Sequence, residues 1–567
     1  MSAKRDDRVS PGDRRLLAGY GPAVLIIAAF LVMAVAVPSV APEKDVAASV
    51  ANSGPGTGLG STPTQGGSTV GGSAGSVTTT TAASGTTGGA TTPGGTATSP
   101  VATGGAAATV AGCTGSQVSG DPYAPPCISF SGSNGGATTR GVSANQIVIS
   151  YMNPTDGSVS IDQEIESVTG SYNSVIFPET YQDVLNTLQE LVTYFNKHFQ
   201  FYGRQIVLKV FNGQEDSGGD SAGTVQADAL NVADTIKPFA ELNATSVAYV
   251  NALTAQHVMN FSSVYANEAL YQANAPYSWS AAPDCTEVAQ DVGAVAAKDL
   301  VGQSTTWAGA GVTNGQPRKF AVVYDDTPVL QSCAGAITGA LSAAGQPATT
   351  TVAYSTNASV ATATAQSTVQ QLINDKITTV LCMCDPVGEL LFAEDMQNDH
   401  YNPEWVEGGV AGEETDDIAQ EMPQSVWSHT AVVTSEETLA GKYGSTIGYF
   451  AAKSQDPSGS LIVNEVDILY QRLYQLALGI ELAGPNLTPQ SFAQGMWNYK
   501  GGDGGYGPQT YVFGGTKYFS PIHQYKIQWY DPSTVSQSDG AQGTWVTNNT
   551  WYSTPPNPLP VFPNGPQ

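Results

Sequence analysis

Nucleophilic catalysis needs a base beside its nucleophile. The five histidines of this chain, His198, His257, His400, His429 and His523, stand in no recognised catalytic motif. His198 falls on a helix with a core-facing stripe, which suits a structural role. Gly71-Gly72-Ser73-Ala74-Gly75 fits the G-x-S-x-G pattern but lacks the strand–turn–helix setting that exposes such a serine. There is no H-E-x-x-H helix, no Walker loop and no dinucleotide glycine fingerprint between a strand and a helix. Gly501-Gly502-Asp503-Gly504-Gly505 reads as a turn in a late segment, not a phosphate cradle. Cys382-Met383-Cys384 with scattered partners is a weak metal pattern. The expectation is therefore no catalytic residues, no cofactor and no metal. The 48 acidic residues allow many carboxylate pairs, so an extracytoplasmic hydrolase stands as an alternative.

The polar residues with more to offer sit at the carboxyl ends of predicted strands, where open α/β sheets bind ligands. Asn243-Ala244-Thr245-Ser246 follows one strand, and Ser262-Ser263 another. Tyr324, Asp326, Cys384, Asp385 and Glu413-Glu414 end strands further on. A carboxylate there can pair with a ligand ammonium, and an aromatic face can cover an apolar or cationic group. The opposing reading is helix capping and solvated acidic surface; Asp385 before Pro386 is a natural N-cap.

Alternating elements position these residues. Strand Gln146 to Ser150, a helix from about Glu179 to Phe199 and strand Gln205 to Phe211 make a βαβ unit, hence a parallel sheet. The helix places Val184, Leu188, Leu191, Val192, Phe195 and Phe199 on one stripe. Helix Ala222 to Ile236 and strands Phe239 to Leu242 and Val258 to Phe261 continue the block. Asp284 and Glu287 form a capping-box pattern before the next helix. A second block opens with strand Phe320 to Tyr324 and a helix started by Thr327-Pro328 and closed by Gly345. Strand Thr350 to Tyr354, helix Val360 to Asp375, strand Thr378 to Cys382, helix Val387 to Gln397 and strand Trp405 to Val410 follow. Later come helix Leu461 to Ala483 and strand candidates Gln524 to Tyr530 and Thr544 to Val546. Two such blocks predict two lobes, each with its own sheet.

The 567 residues carry a formal charge of −27, from 48 acidic and 21 basic side chains. That argues against nucleic acid or an anionic membrane surface as partners. Residues 1–15 are basic, and 16–42 carry no charge and are long enough for a span of roughly 20 residues. Lys4, Arg5, Arg8, Arg14 and Arg15 place the N-terminus in the cytoplasm. An uncleaved transmembrane anchor is the favoured reading; a signal peptide cut after Ser39-Val40-Ala41 competes with it. Residues 43–140 are dominated by Gly, Ser, Thr and Ala, a composition expected to stay disordered, with an r.m.s. span on the order of 55 Å. The expected location is the cell membrane, single-pass, with the large C-terminal domain extracytoplasmic. Six cysteines in that compartment are disulfide candidates: Cys113 with Cys127, Cys285 with Cys333, and Cys382 with Cys384 if the strand bends locally.

The blocks resemble the type I periplasmic solute-binding proteins, the branched-chain amino-acid-binding class of ABC transport, over residues 141 to roughly 550. Asn196 to Arg204 is similar to an "N-x-x-G-G-I-x-G-R" passage, with Lys197 to Tyr202 replacing its glycine-rich turn. Ala282-Pro283-Asp284 resembles the segment that passes into the second lobe, and Val323-Tyr324-Asp325-Asp326 a "V-x-Y-D-D" strand end. Tyr401-Asn402-Pro403-Glu404-Trp405 is similar to a "Y-x-P-x-W" lead-in found in secreted actinobacterial-type members. Leu469-Tyr470 to Gly484 resembles a "Y-D-A" helix, departing at its Asp.

The resemblance implies a two-lobed α/β fold, each lobe a parallel sheet flanked by helices. It implies lobe 1 from 141–283 plus about 436–510, lobe 2 from 284–435 plus about 511–553, and a Pro-rich tail at 554–567. It further implies that Thr245, Ser246, Ser262 and Ser263 hold a ligand carboxylate, opposite Tyr324, Asp326, Asp385 and Glu413. A small-molecule solute, an ABC permease and an ATPase are the implied partners. A ligand-sensing receptor without transport is the other reading. The usual cleft glycine-serine motif is absent, since Leu242-Asn243 stands there, which argues against a branched-chain amino acid as ligand.

Overall fold

Our computed structural model describes residues 108–109, 115–118, 125–153, 180–214, 222–262, 266–281, 283–355, 358–409, 414–435, 446–456, 459–463, 466–499, 519, 523–537 and 540–561. The expected anchor, most of the linker, Cys113, Ser263 and Glu413 lie outside the described residues. Among the described residues no helix is long and apolar enough to cross a membrane. Residues 97–567 form one compact unit that holds two separate large sheets, each with its own core.

The first sheet comprises β1 (Gln146–Asn153), β2 (Gln205–Asn212), β3 (Ala240–Ala244), β4 (Met259–Ser262) and β5 (Ser278–Ser280), in the order β2-β1-β3-β4-β5 and wholly parallel. Between the strands run α1 (Tyr181–His198), α2 (Ala222–Asn231), α3 (Val247–Ala255) and α4 (Glu268–Ala273). Thr180 and Asp183 start α1 with a reciprocal capping box, and its stripe buries Val184, Leu188, Leu191, Val192 and Phe195 as the periodicity predicts. Asn196 clamps α1 to β2, accepting from Ile206 N at 2.7 Å and donating to Ile206 O at 2.9 Å. The Arg204 guanidinium holds the segment before β1 through Ser143 O at 2.7 Å and reaches Pro485 O at 2.9 Å. The predicted helix Ala222 to Ile236 ends differently. Residues Val232–Ile236 form a π-turn, closed by Lys237 in the left-handed conformation.

The second sheet begins after α5 (Cys285–Val295). It comprises β6 (Phe320–Asp325), β7 (Thr350–Tyr354), β8 (Thr379–Met383), β9 (Glu404–Gly408) and β10 (Thr430–Thr434). Linking elements include α6 (Pro328–Ala343), α7 (Ala358–Asn374), α8 (Pro386–Asn398) and α9 (Asp416–Glu421). Asp284 caps α5, accepting from Thr286 N at 2.8 Å and Glu287 N at 3.3 Å. The capping box is only half realised, because the Glu287 carboxylate turns to His523 instead. Thr327 caps α6 with Pro328 at its first turn, as expected. Cys333 lies in the second turn of α6. Arg318 and Glu404 form a buried ion pair at 2.7 Å, with Thr306 N, Trp307 N and Thr379 Oγ1 also donating to the carboxylate.

The chain then returns to the first sheet as α10 (Ile447–Lys453), α11 (Val466–Ala483) and α12 (Pro489–Asn498), whose apolar faces enter the first core with Phe519. Residues 461–463, where the apolar run suggests its start, lie outside helix α11. The chain ends back on the second sheet as β11 (Lys526–Val535) and β12 (Gln542–Thr547). These two strands correct the expectation of a parallel sheet in each lobe. Both pair antiparallel, giving the order β12-β11-β10-β9-β8-β6-β7. A short connection joins β11 to β12, and a hairpin of that kind can only run antiparallel. The polypeptide thus passes between the sheets three times: between Ser280 and Cys285, between Ser435 and Ile447, and between Phe519 and Tyr525.

Candidate functional site

In both sheets the parallel strands follow one winding: second, first, third, fourth, fifth in chain order. Such a sheet has one switch point, where successive connections leave on opposite sides and a crevice opens at the carboxyl edge. In the first sheet it lies between β1 and β3, and in the second between β6 and β8.

At the first switch point β1 and β3 pair only through Ile149 with Ala240 and Ser150 with Glu241. Beyond that the buried Glu241 carboxylate bridges the strands. Its Oε1 accepts from Met152 N at 3.1 Å and Asn243 N at 3.0 Å, and the Ser150 hydroxyl donates to its Oε2. Burial pushes this carboxyl up to about 7, against those hydrogen bonds and the nearby Arg472, which pull it down. Above it opens a cavity of about 160 Å³ lined by Tyr151, Val184, Asn243, Val463, Ile468, Leu469 and Arg472. Arg472 comes from α11. Its Nη1 donates to Leu242 O at 3.2 Å and Asn243 Oδ1 at 3.4 Å. The Tyr181 ring stands 6.5 Å from that of Tyr151, and its buried hydroxyl has no hydrogen-bond partner among the described residues. Burial, with Tyr151 and Glu241 nearby, raises the Tyr181 pKa well above the usual tyrosine value.

The second switch point is filled. Tyr354 lays its ring against Phe392, with centroids 5.1 Å apart, and a Cβ on Gly388 would meet that ring at 2.4 Å. Its hydroxyl donates to Asp385 Oδ2 at 2.5 Å and accepts from Asp385 N at 2.7 Å. Asp385 Oδ1 caps α8 through Val387 N and Gly388 N, both at 3.0 Å. The sulfurs of Cys382 and Cys384 are joined, with Cα atoms 5.4 Å apart. A regular strand would set them roughly 6.7 Å apart, so the strand end bends as this pairing requires. Glu389 lies within 4.8 Å of both sulfurs, but sulfurs bonded to each other offer no thiolate to a metal. Glu389 itself accepts from Trp405 Nε1 at 3.0 Å, and burial pushes its carboxyl up to about 7.

The two carboxyl edges meet at Cys285. Beyond β4, Ala266 O accepts from Cys285 N at 3.1 Å, and Glu268 N donates to Thr286 Oγ1 at 3.1 Å. Cys285 is joined in turn to Cys333 of α6, the helix that follows β6, with Cα atoms 5.8 Å apart. His523, in the third crossing, hydrogen-bonds Glu287 of α5.

The expected ligand residues fall into two groups, one on each edge. Thr245 and Ser246 follow β3, and Ser262 ends β4 in register with Ala244. Ser246 caps α3, accepting from Tyr249 N at 3.1 Å. Tyr324 is buried in the second core, Asp326 is exposed, and Asp385 has both oxygens engaged. Sequence reasoning missed Glu241 and Arg472. Each left a signal: an acid inside an apolar strand, and the one basic residue between Lys453 and Lys500.

No protein-family model matches the sequence, and no curated protein does. Solved structures do match. A substrate-binding protein of an ABC transporter from Aeropyrum pernix aligns over 73% of this chain and 97% of its own, with a TM-score of 0.51 and 12% identity. A solute-binding protein of an ABC transporter from Rhodopseudomonas palustris BisB5, in complex with 3,4-dihydroxybenzoic acid, aligns over 73% and 99%, with a TM-score of 0.50 and 11% identity. This chain shares the α/β fold of those proteins, with parallel strands flanked by helices in two sheets.

Proposed function

We propose that this protein captures a small polar solute, an amino acid, amide or similar compound, between the carboxyl edges of its two sheets. One observation carries the reading. Two identically wound sheets, joined by three crossings, bring both carboxyl edges to the same strap at Cys285. The cavity at the first switch point supplies a polar seat, and the second lobe closes over it. The resemblance to ABC solute-binding proteins supports delivery of the solute to a permease driven by an ATPase. The basic N-terminus and the uncharged segment at 16–42 support a membrane-tethered form with the binding domain outside the cytoplasm. The Cys285–Cys333 and Cys382–Cys384 links suit that compartment.

The test is a thermal-shift screen of the full-length protein in detergent over amino acids, amides, carboxylic acids and sugars. A solute present at a hundredfold excess over its Kd should add about 2.7 kcal/mol to stability and raise the Tm. A screen in which nothing raises the Tm would sink the reading.

A further inference from the structure

We propose that Cys382 and Cys384, once reduced, form with Glu389 a site for a thiophilic divalent cation such as zinc. The site lies in the second sheet and does not depend on solute capture. The two disulfide links differ in what they do for the fold. Cys285 and Cys333 are 48 residues apart in sequence, so their bond restrains a long stretch of the unfolded chain. Cys382 and Cys384 have a separation of 2, so their bond closes almost no loop and adds little to stability. It can therefore open while the fold holds.

Opening it leaves two thiols at the end of β8, beside the first turn of α8. Glu389 stands in that turn, and a carboxylate oxygen and the two sulfurs all lie within 4.8 Å of one another. Tetrahedral zinc keeps sulfurs about 2.3 Å and carboxylate oxygens about 2.0–2.2 Å from itself, so its ligands stand roughly 3.3–3.8 Å apart. The freed sulfurs must part and the carboxylate approach by on the order of 1 Å, within the reach of side-chain rotation. Glu389 is buried and already oriented, since its Oε1 accepts from Trp405 Nε1 at 3.0 Å. The buried Glu407 carboxyl of β9 stands close enough to hydrogen-bond with that of Glu389. Two carboxyls make such a bond only with a proton between them. The charges that act most on Glu389, Asp385 and Glu414, are acids as well. A cation held by two thiolates and a carboxylate relieves this crowding, and Glu407 is placed to complete a four-ligand shell.

The opening step balances with a phosphine as reductant. The phosphine takes the oxygen of one water molecule, the S–S bond breaks, and the two water protons go to the two sulfurs. Zinc then displaces both protons as the thiolates bind it. The experiment treats the full-length protein in detergent with a water-soluble phosphine and removes the phosphine without air. Cobalt(II) is the first probe, because thiolate ligation gives it a charge-transfer band that zinc bleaches. The reduced protein should show that band and the oxidised protein should not. Cys382→Ser with Cys384→Ser should abolish it, and Cys285→Ser with Cys333→Ser should keep it. Glu389→Gln should weaken zinc at least tenfold. If a variant fails to fold, thiol alkylation of the reduced native protein, mapped by mass spectrometry, decides the matter. Zinc should slow labelling of Cys382 and Cys384 at least tenfold and leave the other cysteines unchanged. A Cys382–Cys384 bond that the phosphine cannot open in the folded protein would overturn the proposal. So would a band that survives loss of both cysteines, unchanged zinc affinity in Glu389→Gln, or labelling that zinc does not slow.

Discussion

The two sheets share one winding and treat their switch points in opposite ways. In the first, β1 and β3 part over the Glu241 bridge, and Arg472 lines the cavity that opens there. In the second, Tyr354 fills the gap, Asp385 ties it shut, and Cys382 is joined to Cys384 behind it. A tyrosine hydroxyl bonded to a capping carboxylate, with its ring against a glycine, occupies that gap. The same chain path can therefore leave a cavity at its switch point or fill it, depending on which side chains occupy one gap. The proposed capture of a solute assigns selectivity to the first sheet and closure to the second.

The broadest effect should come from pH, and it tests whether the two halves respond together. Burial raises the carboxyls of Glu241 to about 7 and Glu481 to about 8 in the first half. It raises Glu287 and Glu389 to about 7 and Asp291 to about 8 in the second. An acid whose pKa is raised by folding binds its proton more tightly in the native state. Its stabilising contribution is complete below the unfolded value, near 4, and is lost as pH rises through 7 to 8. Between pH 5 and pH 8.5 the Tm should therefore fall steadily. A rising Tm over that range would contradict the burial assigned to these groups.

Arg318→Ala should be the most damaging single change, because it leaves Glu404 buried without its cation. A loss of about 3–5 kcal/mol is expected in urea unfolding. If the first half then melts at its native midpoint while the second melts early, the two cores are separable. Gly388→Ala should cost about 1–3 kcal/mol, because the new methyl group pushes into Tyr354. The comparison requires solute affinity to survive this change, and a fall of more than threefold would show the second switch point taking part in binding. Ser246→Ala should be the mildest, about 1 kcal/mol of stability for a lost N-cap. If titration shows affinity falling as well, Ser246 holds solute in addition to capping α3.

Much of the fold was legible in the sequence. The β1–α1–β2 unit stood out because its helix keeps a clean apolar stripe between two strand-like runs. The caps at Asp284 and Thr327-Pro328 were readable because few residue types perform that task. Two strands and one pairing resisted. Ser278–Ser280 is too short to show alternation, and Thr430–Thr434 is buried throughout and so shows none. The antiparallel pairing of β11 and β12 depends on which neighbour they meet, which local pattern does not encode. The site was less legible than the fold. Polar residues after strands were sought as ligand groups, and Ser246 and Asp385 turned out to be engaged as caps. Arg472 sits on a helix that reads as core, and only its place in the tertiary structure brings it to the strand ends.

The connections between the halves also limit how the protein can move. From Ser280 to Cys285 the chain takes five steps, and from Phe519 to Tyr525 six, so these tethers reach at most about 18 and 22 Å. The bond between His523 and Glu287 keeps the second leash close to the end of the first. Two short leashes held side by side let the halves pivot but not slide past or drift from each other. The solute capture proposed above would then open and close by a pivot about these leashes, whose length limits how far the halves can part.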